Sequence, residues 1–255
     1  RGANITALNT VRKHLSQVKG GQLAANTKAA VVSLIISDVI GDQLDVVASG
    51  LTVVDPSTSR HAVAILRKHG LYTPQLHQVM SAETPKGGLK HVRNVLIGSN
   101  NLALEQLTVT ALQHGIQPHI LTTTLHGEAR VAARKLVQSS HRHRRRPALL
   151  LAGGETTVTV RGKGYGGRNQ ELALAAMKYI KPGMTLLALA TDGVDGHTPR
   201  PVAGAFTKQP PLPLDIDHYL KHNDSYTALR KLGCLLHTGP TGTNVGDIIM
   251  ILVEK

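Results

Sequence analysis

Apolar runs of strand length alternate with helix-length amphipathic segments along the first half of the chain, and no other feature constrains the fold as much. Strands are predicted at 30–39 (AVVSLIISDV), 92–100 (VRNVLIGSN) and 116–125 (IQPHILTTTL). Helices are predicted at 1–21, capped by Asn4 and ended by Gly20 and Gly21, and at 60–70, 102–114 and 128–140. The first two apolar runs are typical of strands buried on both faces, and their alternation with helices indicates an α/β fold with a parallel sheet.

The second half of the chain begins with a different pattern. PALLLAGG (147–154) is predicted to be a buried strand, and TTVTVRG (156–162) alternates polar and apolar residues as a half-exposed strand does. Because so few residues separate the two segments, they are predicted to form a hairpin. A helix is predicted at 169–180, strands at 185–191 and 247–254, and a further helix near 224–232.

A basic run, SSHRHRRRP (139–147), is the predicted boundary between two domains, 1–147 and 148–255. Residues 1–147 hold 18 Lys and Arg against 7 Asp and Glu, so most of the formal net charge of +13 lies in the first domain. The run is predicted to be a solvated linker rather than a nucleic-acid-binding arm, since blocks of like charge are usually disordered. With five Tyr, one Phe and no Trp, the core is predicted to be aliphatic, and base stacking on single strands is disfavoured.

The cysteine content limits the chemistry of the chain. A single cysteine, Cys234, excludes an internal disulfide and a cysteine-based zinc site and fits a reducing compartment, so a cytoplasmic location is expected. Its apolar surroundings predict a buried thiol with a packing role. No apolar run approaches the roughly 20 residues that span a bilayer, so no membrane partner is expected. The sequence begins without Met and without a signal-peptide pattern, which predicts a fragment or a processed chain.

The segment GGETTVTVRGKGYGGRNQELALAA (153–176) is rich in glycine, with Gly162, Gly164, Gly166 and Gly167 close together. Its G-x-G-x-x-G spacing occurs in dinucleotide-binding folds, but there it follows a uniformly apolar strand, whereas this strand alternates. A second interpretation is an anion site, in which Arg168 and the helix N-terminus face a phosphate or carboxylate while the glycines let the backbone approach the ligand. A simple turn is the third interpretation, and the residues alone do not decide between the anion site and the turn.

Two further loops and one strand end carry polar candidates. Asp192 and Asp195, in ATDGVDGHT (190–198), follow a predicted strand and either hold Mg²⁺, orient a hydroxyl or simply form turns. Asp38 and Asp42, in SDVIGD, show the same ambiguity. HTGPTGTNVGD (237–247) offers phosphate-binding hydroxyls and backbone N–H groups, or is only a turn; its candidates are Thr238, Gly239, Thr241, Gly242, Thr243 and Asn244. No Walker sequence is present, which excludes a standard P-loop.

Seven segments occur in a fixed order along the whole chain. They are LNTVRKHLSQVKGGQLA, SLIISDVIGDQLDVVASG, VLIGSNNLAL, LLAGGETTVTVRGKGYGGRNQELALAA, ATDGVDG, AGAF and HTGPTGTNVGDIIMIL. Together they resemble the glycerate kinases of the two-domain type, whose C-terminal part is called the MOFRL domain. The resemblance implies a Rossmann-like parallel-sheet portion in 1–147 and a smaller mixed α/β, MOFRL-type domain in 148–255. It also implies an N-terminal truncation, because the family has a further segment before the first of these motifs.

The resemblance implies a phosphotransferase that uses ATP and Mg²⁺ to phosphorylate D-glycerate, most often at the 2-hydroxyl, in a cleft between the two domains. It makes Asp38 and Arg168 the candidate catalytic residues, and Asp42 and Asp195 are the candidate metal ligands. The candidate substrate- and nucleotide-binding residues are Arg12, Lys19, Gly164, Gly166, Gly167, Asn169, Asp192 and the six residues of the threonine-rich loop named above. Arg168→Ala is expected to abolish activity and to leave the fold intact.

Three alternative functions stay open at this point. The first alternative to that enzyme is a catalytically inactive truncated remnant of the family that binds a nucleotide or phosphometabolite. The second is a nucleic-acid-binding module, suggested by the basic first domain, and the third is a nicotinamide oxidoreductase, suggested by the glycine spacing. The nucleic-acid hypothesis ranks last, because the sequence contains no binding motif and few aromatics. Glycerate and ATP are the expected partners, no specific nucleic acid is expected, and a homo-oligomer is left open.

Overall fold

In the computed structural model, which describes residues 1–143, 147–208 and 214–254, the chain divides into two units, Arg1–Ile97 and Gly98–Lys255. The domain boundary predicted near residue 147 stays a prediction. Three residues of the basic run proposed as a linker, 144–146, lie outside the described residues, whereas its first residues complete a helix that ends at His141. The proline-rich segment 209–213 also lies outside them.

The first unit begins with a helix and contains two strands. Its elements are α1 Ile5–Leu15, α2 Gln22–Ala25, β1 Val31–Ile36, a 3₁₀ turn Val47–Ser49, α3 Ser59–Lys68, α4 Pro74–Val79 and β2 Val92–Gly98, with β1 paired to β2. The predicted cap of α1 is confirmed, since the Asn4 side chain accepts a hydrogen bond from the Ala7 N–H. The helix ends at Leu15, however, earlier than Gly20.

The apolar side chains of the first unit are less buried than the sequence predicts. Strand β1 was expected to be buried on both faces, but that expectation is wrong: its residues alternate between partly buried and exposed, and Leu34 is 65% exposed. On α1 the buried side chains are Asn9, Thr10, Lys13 and His14, while Ile5 and Leu8 on the apolar face are exposed. The first unit therefore presents apolar surface and packs polar groups inside.

Charged groups hold the buried face of α1 in place. The Lys13 ammonium lies 3.2 Å from an Asp55 carboxylate oxygen, and both side chains are almost completely buried. His14 lies with Nδ1 2.8 Å from the Thr10 carbonyl and with Nε2 3.0 Å from the Glu83 carboxylate. Burial alone would raise the pKa of Glu83, but hydrogen bonds from His14 and from the Ser59 backbone, with the charge of a nearby lysine, lower it to about 2.

In the second unit a mixed six-stranded sheet is flanked by helices. Its elements are α5 Asn100–Gln113, β3 Gln117–Leu125, α6 Ala129–His141, β4 Ala148–Gly154, α7 Arg168–Ala176, β5 Met184–Ala190, β6 Gly204–Lys208, α8 Ile216–Lys221, α9 Ser225–Lys231, β7 Leu235–Leu236 and β8 Asp247–Val253. The strand order is β3-β4-β8-β5-β6-β7, and only β3 and β4 run parallel. The predicted class, a parallel-sheet portion followed by a mixed α/β domain, is confirmed.

The hairpin predicted from 147–154 and 156–162 does not form. Strand β4 lies between β3 and β8, so both of its hydrogen-bonding edges are already occupied. The following segment has only an isolated bridge, from Thr157 to Glu128. The sequence predicts Asn100 or Asn101 as the cap of the helix at 102–114, which is wrong: the cap is Ser99, whose hydroxyl accepts the N–H of Leu102, and Asn100 is the first helical residue.

Helix α7 is the centre of the core of the second unit. Its residues Asn169–Ala176 are all buried, and its aliphatic side chains pack with those of α6, β5 and β8 in the largest apolar cluster. Cys234 is a buried thiol in this cluster, as predicted. Within the described ranges, every helix falls short of the length and apolarity that a membrane span requires.

Candidate active site

Three loops that the sequence singles out meet at one edge of the six-stranded sheet. In the sheet register, Gly154 at the end of β4 and Ala190 at the end of β5 both pair with Asp247, the first residue of β8. The glycine-rich segment after β4, the ATDGVDGHT segment after β5 and the threonine-rich segment before β8 therefore start or finish at the same edge. Ligands of α/β sheets commonly bind at such strand ends.

Arg168 lies at this edge as the first residue of α7 and is held by two carboxylates. Its Nε and Nη2 atoms donate to the two oxygens of Asp247, at 2.6 and 2.9 Å, and its Nη1 lies 3.0 Å from Glu155. Burial opposes the charge of the guanidinium, but Asp247 and Glu155 raise the pKa of Arg168, so it stays protonated. A guanidinium has five N–H groups, so two of them are left to face a ligand.

The backbone N–H groups at the N-terminus of α7 are not open to a ligand. Asp195 Oδ1 accepts the backbone N–H of Asn169 at 3.0 Å. Its Oδ2 accepts the backbone N–H of Gln170 at 2.8 Å and the side-chain amide of Gln170 at 3.0 Å. Asp195 is 1% exposed and Asn169 is fully buried. Burial raises the pKa of Asp195, and these N–H donors counteract that effect in part. The geometry makes Asp195 a helix cap and does not favour the metal role predicted for it or the binding role predicted for Asn169.

The glycines before α7 serve internal packing rather than close approach of a ligand. A Cβ at Gly164 would lie 2.4 Å from the Cβ of Asp224, and one at Gly167 would lie 2.4 Å from the Asp195 backbone. A Cβ at Gly166 would lie 2.1 Å from the hydroxyl oxygen of Ser225, the first residue of α9. Protein atoms already fill this space, so internal packing requires glycine at these positions, whereas the sequence pattern predicted glycines that let a ligand approach the backbone.

A cavity of about 550 Å³ lies beside Arg168. Glu155, Thr156, Gly166 and His197 contribute to its wall. Thr156 is 3% exposed, and its hydroxyl has no hydrogen-bond partner within the described part of the chain, as expected of a group that meets a ligand or water. Sequence reasoning missed Glu155, Thr156 and Asp247, because a lone acid or hydroxyl next to a strand gives no signal until the strand ends are brought together.

The two other loops are linked to each other and open to solvent. Thr241 donates through its hydroxyl to the Thr191 carbonyl, at 2.6 Å, and the Thr191 hydroxyl donates to Gly246, at 2.7 Å. Gly242 has open space where a Cβ would lie and a left-handed backbone, φ +79°. The candidates Thr238, Thr241, Gly242, Thr243 and Asn244 are exposed, and Gly239 is partly so. The loop therefore leaves its backbone and hydroxyls accessible.

Asp192 is the carboxylate of this edge that best fits a cation. One of its oxygens accepts the N–H of Val194 at 2.9 Å, and no bond to the other is found in the described ranges. Magnesium uses oxygen ligands, commonly one or two carboxylates together with substrate phosphates. No group of three or more His, Cys, Asp or Glu side chains in the described parts of the chain is placed to hold a metal by itself.

The first unit carries the remaining predicted residues near the end of β1. Asp38 is exposed just after this strand, and Asp42 has a left-handed backbone, φ +52°. The Lys19 ammonium donates to the Ala48 carbonyl at 2.9 Å, whereas Arg12 is exposed. Ala48 and the next residue, Ser49, both have φ of 50–60°, which non-glycine residues adopt only at a cost of about 1–3 kcal/mol each. This strained turn was not recognised from the sequence.

Two family models match the chain. One, described as the MOFRL family, matches residues 148–247, and the other, described as a domain of unknown function (DUF4147), matches residues 1–82. The first model thus covers the glycine-rich, ATDGVDGHT and threonine-rich segments almost completely.

Several relatives are similar over nearly the whole chain. A D-glycerate 2-kinase from Thermotoga maritima is 45% identical over 99% of this chain and 64% of its own length. A glycerate kinase from Macaca fascicularis is 37% identical over 100% of this chain and 80% of its own length. The crystal structure of a glycerate kinase (EC 2.7.1.31) from Thermotoga maritima matches with a TM-score of 0.92 and 44% identity, over 99% of this chain and 64% of that one. The chain thus spans about two thirds of the length of the bacterial protein.

Proposed function

Because the chain belongs to the glycerate kinase family, we propose that it transfers the γ-phosphoryl group of ATP to D-glycerate, with 2-phosphoglycerate as the product. One observation carries the proposal: three loops converge at one sheet edge beside Arg168, whose guanidinium is fixed by Asp247 and retains two N–H groups for an anion. Phosphoryl transfer depends mainly on positioning and charge neutralisation, which such an edge supplies.

The second unit would bind and orient the anionic groups. A guanidinium held by two hydrogen bonds loses little freedom when it meets a phosphate or carboxylate, so Arg168 is the proposed charge-neutralising residue. The accessible hydroxyls and backbone of the threonine-rich loop, Thr238 to Asn244, are proposed phosphate contacts. The unpaired hydroxyl of Thr156 is a further proposed contact in the cavity beside Arg168.

The first unit would supply a base and further cations. Asp38 is exposed at a strand end and is proposed to accept the proton of the attacking hydroxyl. Lys19 and Arg12 remain the proposed partners of phosphate or of the glycerate carboxylate. Lys19 is fixed against the strained turn at Ala48, so its ammonium is already ordered before a ligand binds.

Mg²⁺ is the proposed cofactor, and Asp192 is the proposed ligand in the second unit; the metal role predicted for Asp42, in the first unit, stays a prediction. When bound, the ion would offset the negative charge of the phosphate groups. The protein is proposed to act in the cytoplasm on small molecules, without a membrane or specific nucleic-acid partner. Size-exclusion chromatography with light scattering would decide whether it forms a homo-oligomer.

Direct measurement of ADP tests the proposal. The purified chain is incubated with Mg-ATP alone, with D-glycerate and with L-glycerate, and the product is identified by ³¹P NMR. ADP that depends on D-glycerate is expected, together with a 2-phosphate rather than a 3-phosphate resonance. A folded sample that binds ATP but releases no ADP would instead support the inactive binding remnant.

Site-directed variants and an NADH oxidation assay make the test specific. Arg168→Lys keeps a charge but loses the planar fork, so a loss of about 100-fold or more in kcat/KM is expected. Arg134→Gln, on the exposed face of α6, is the matched control and should leave turnover unchanged. Oxidation of NADH in the presence of hydroxypyruvate, without ADP release from Mg-ATP, would overturn the kinase proposal and favour the oxidoreductase.

A further inference from the structure

A cavity of the second unit lies beside the glycine-rich segment, and Arg168 is not among the residues that line it. Its volume is about 690 Å³, and α6, α7, α8 and the segment Thr159–Arg161 form its walls. This volume lies in the range of small-molecule sites. Four of the side chains that line it are cationic, Arg130, Arg161, Lys178 and Lys221, and two are acidic, Glu128 and Asp217.

Two of the four cations are already paired. Arg130 donates through Nε to Glu171, at 2.6 Å, and through Nη2 to the Leu220 carbonyl, also at 2.6 Å. Lys178 lies 2.5 Å from Asp217. These pairs fix the shape of the cavity wall and leave less negative charge free inside it.

The other two cations, Arg161 and Lys221, have no side-chain hydrogen bond or ion pair within the described part of the chain. Both are exposed at the cavity. Unpaired like charges in a concave, low-dielectric surface concentrate the field and attract anions. A planar guanidinium beside an ammonium suits a phosphate group in particular.

The backbone that carries Arg161 is rigidly held. The Asn223 side-chain oxygen accepts the N–H groups of both Arg161 and Gly162, at 2.8 and 2.9 Å. The Asn223 amide in turn donates to Glu171 at 3.1 Å, and Asn223 has a left-handed backbone, φ +51°. A buried chain of contacts therefore connects Arg130 through Glu171 and Asn223 to the glycine-rich segment.

The alternating segment separates this cavity from the candidate active site. Thr159 and Arg161 line the larger cavity, whereas Val158 and Val160 line the one beside Arg168. The polar–apolar alternation that predicts a strand thus reflects an extended wall with a different cavity on each side. Because neighbouring residues of one segment line both cavities, a ligand bound in one cavity can affect the other through the backbone of that segment.

We propose that this cavity is a second anion site, which binds a small phosphorylated metabolite between Arg161 and Lys221 and thereby stabilises the glycine-rich segment. The site does not depend on the proposed phosphoryl transfer. It is independent of Arg168, and the protein would bind its anion whether or not it turns over glycerate.

Inorganic pyrophosphate, titrated calorimetrically without divalent cations, is the probe. The double variant Arg161→Gln/Lys221→Gln should raise its Kd at least tenfold, and Glu128→Gln should lower it. The control Arg134→Gln/Lys181→Gln removes the same charge from exposed residues of the same unit that do not line the cavity, and should leave Kd unchanged. Circular dichroism confirms that each variant is folded.

Hydrogen exchange of the Arg161 and Gly162 amides supplies a second readout. Both should exchange several-fold more slowly in the presence of saturating pyrophosphate, and the slowing should vanish in Arg161→Gln/Lys221→Gln. Absence of millimolar binding to the wild-type chain would overturn the proposal, as would equal weakening by the control pair. Binding lost in Arg168→Lys but kept in the double variant would place the anion in the active site instead and equally overturn it.

Discussion

Replacing Arg168 by methionine should destabilise the second unit as well as remove a ligand contact. The substitution leaves the Asp247 carboxylate, which is 1% exposed, without the two hydrogen bonds that it receives at 2.6 and 2.9 Å. Asp195 lies close enough for its charge to act on Arg168, and the charge of Asp247 raises the pKa of Asp195, so the two buried acids would then face each other without the cation. The sequence-based expectation of an unaffected fold in Arg168→Ala is therefore not what this geometry favours.

The size of the effect follows from the burial of the two partners. Removing one partner of a buried ion pair costs about 3–5 kcal/mol, and because the Arg168 side chain is 29% exposed the lower end applies, about 3 kcal/mol. In a unit of this size that corresponds to a fall in Tm of about 6–12 °C. Asp247→Asn removes the buried charge and leaves Arg168 with Glu155 and water, so it should cost about 1–2 kcal/mol. The double variant should cost less than the sum of the two, with a coupling energy of about 2 kcal/mol.

Urea unfolding followed by circular dichroism at 222 nm measures the three variants, and hydrogen exchange in β8 assigns the change to the second unit. Arg134→Gln, which removes an exposed charge from α6, is the control and should change the free energy of unfolding by less than about 0.5 kcal/mol. The reasoning fails if Arg168→Met is as stable as the wild type, or if the effects of the single variants simply add. Activity must then be compared at temperatures where every variant is folded.

Other predictions concern packing, pH and exposed surface. Gly164→Ala would place a Cβ 2.4 Å from a neighbouring side-chain carbon and should cost about 1–3 kcal/mol in urea unfolding, whereas Gly87→Ala, which meets no atom within 4 Å, should cost less than about 0.5 kcal/mol. Burial alone would raise the pKa of Glu83, but hydrogen bonds, from His14 above all, lower it to about 2 from 4.5. Its contribution to stability is therefore present above about pH 4.5 and lost as the pH falls through about 2, and in Glu83→Gln acid unfolding monitored over this range should lose that component. Leu34→Thr, on the exposed face of β1, should weaken binding of the dye ANS and reduce self-association in light scattering; unchanged ANS fluorescence would show that this face is not the apolar surface responsible.

The regular elements of the second unit were predictable because burial and periodicity agree there. The runs that form β4, β5 and β8 are almost entirely apolar, and the sheet buries most of their residues. The hairpin predicted from the pattern at 156–162 is wrong for a physical reason. A period of two shows that alternate residues face different surroundings, but it does not show whether those surroundings are the two faces of a sheet or two cavities. Only the occupied edges of β4 decide the matter: one edge pairs with β3, which precedes it, and the other with β8, more than 90 residues later.

The candidate site was predictable as a set of loops but not as a set of roles. Strand ends and glycine-rich turns locate the loops, and the register of β4, β5 and β8 then brings them together. What the sequence does not specify is which polar group meets which. Asp195, a predicted metal ligand, accepts the N–H groups at the start of α7, and Asp247, which has no predicted role, is the residue that orients Arg168.

Helix α1 shows why side-chain type alone does not settle which face is buried. Its apolar residues predict a buried stripe, yet Lys13 and His14 are on the buried face, because Asp55 and Glu83 lie there to pair with them. The free energy of burying a charge depends on partners that are distant in sequence, so a helical pattern cannot report it. The consequence is that several apolar side chains of α1 and β1, such as Leu8 and Leu34, stay exposed in this unit and are accessible to substitution without disturbing the ionic cluster.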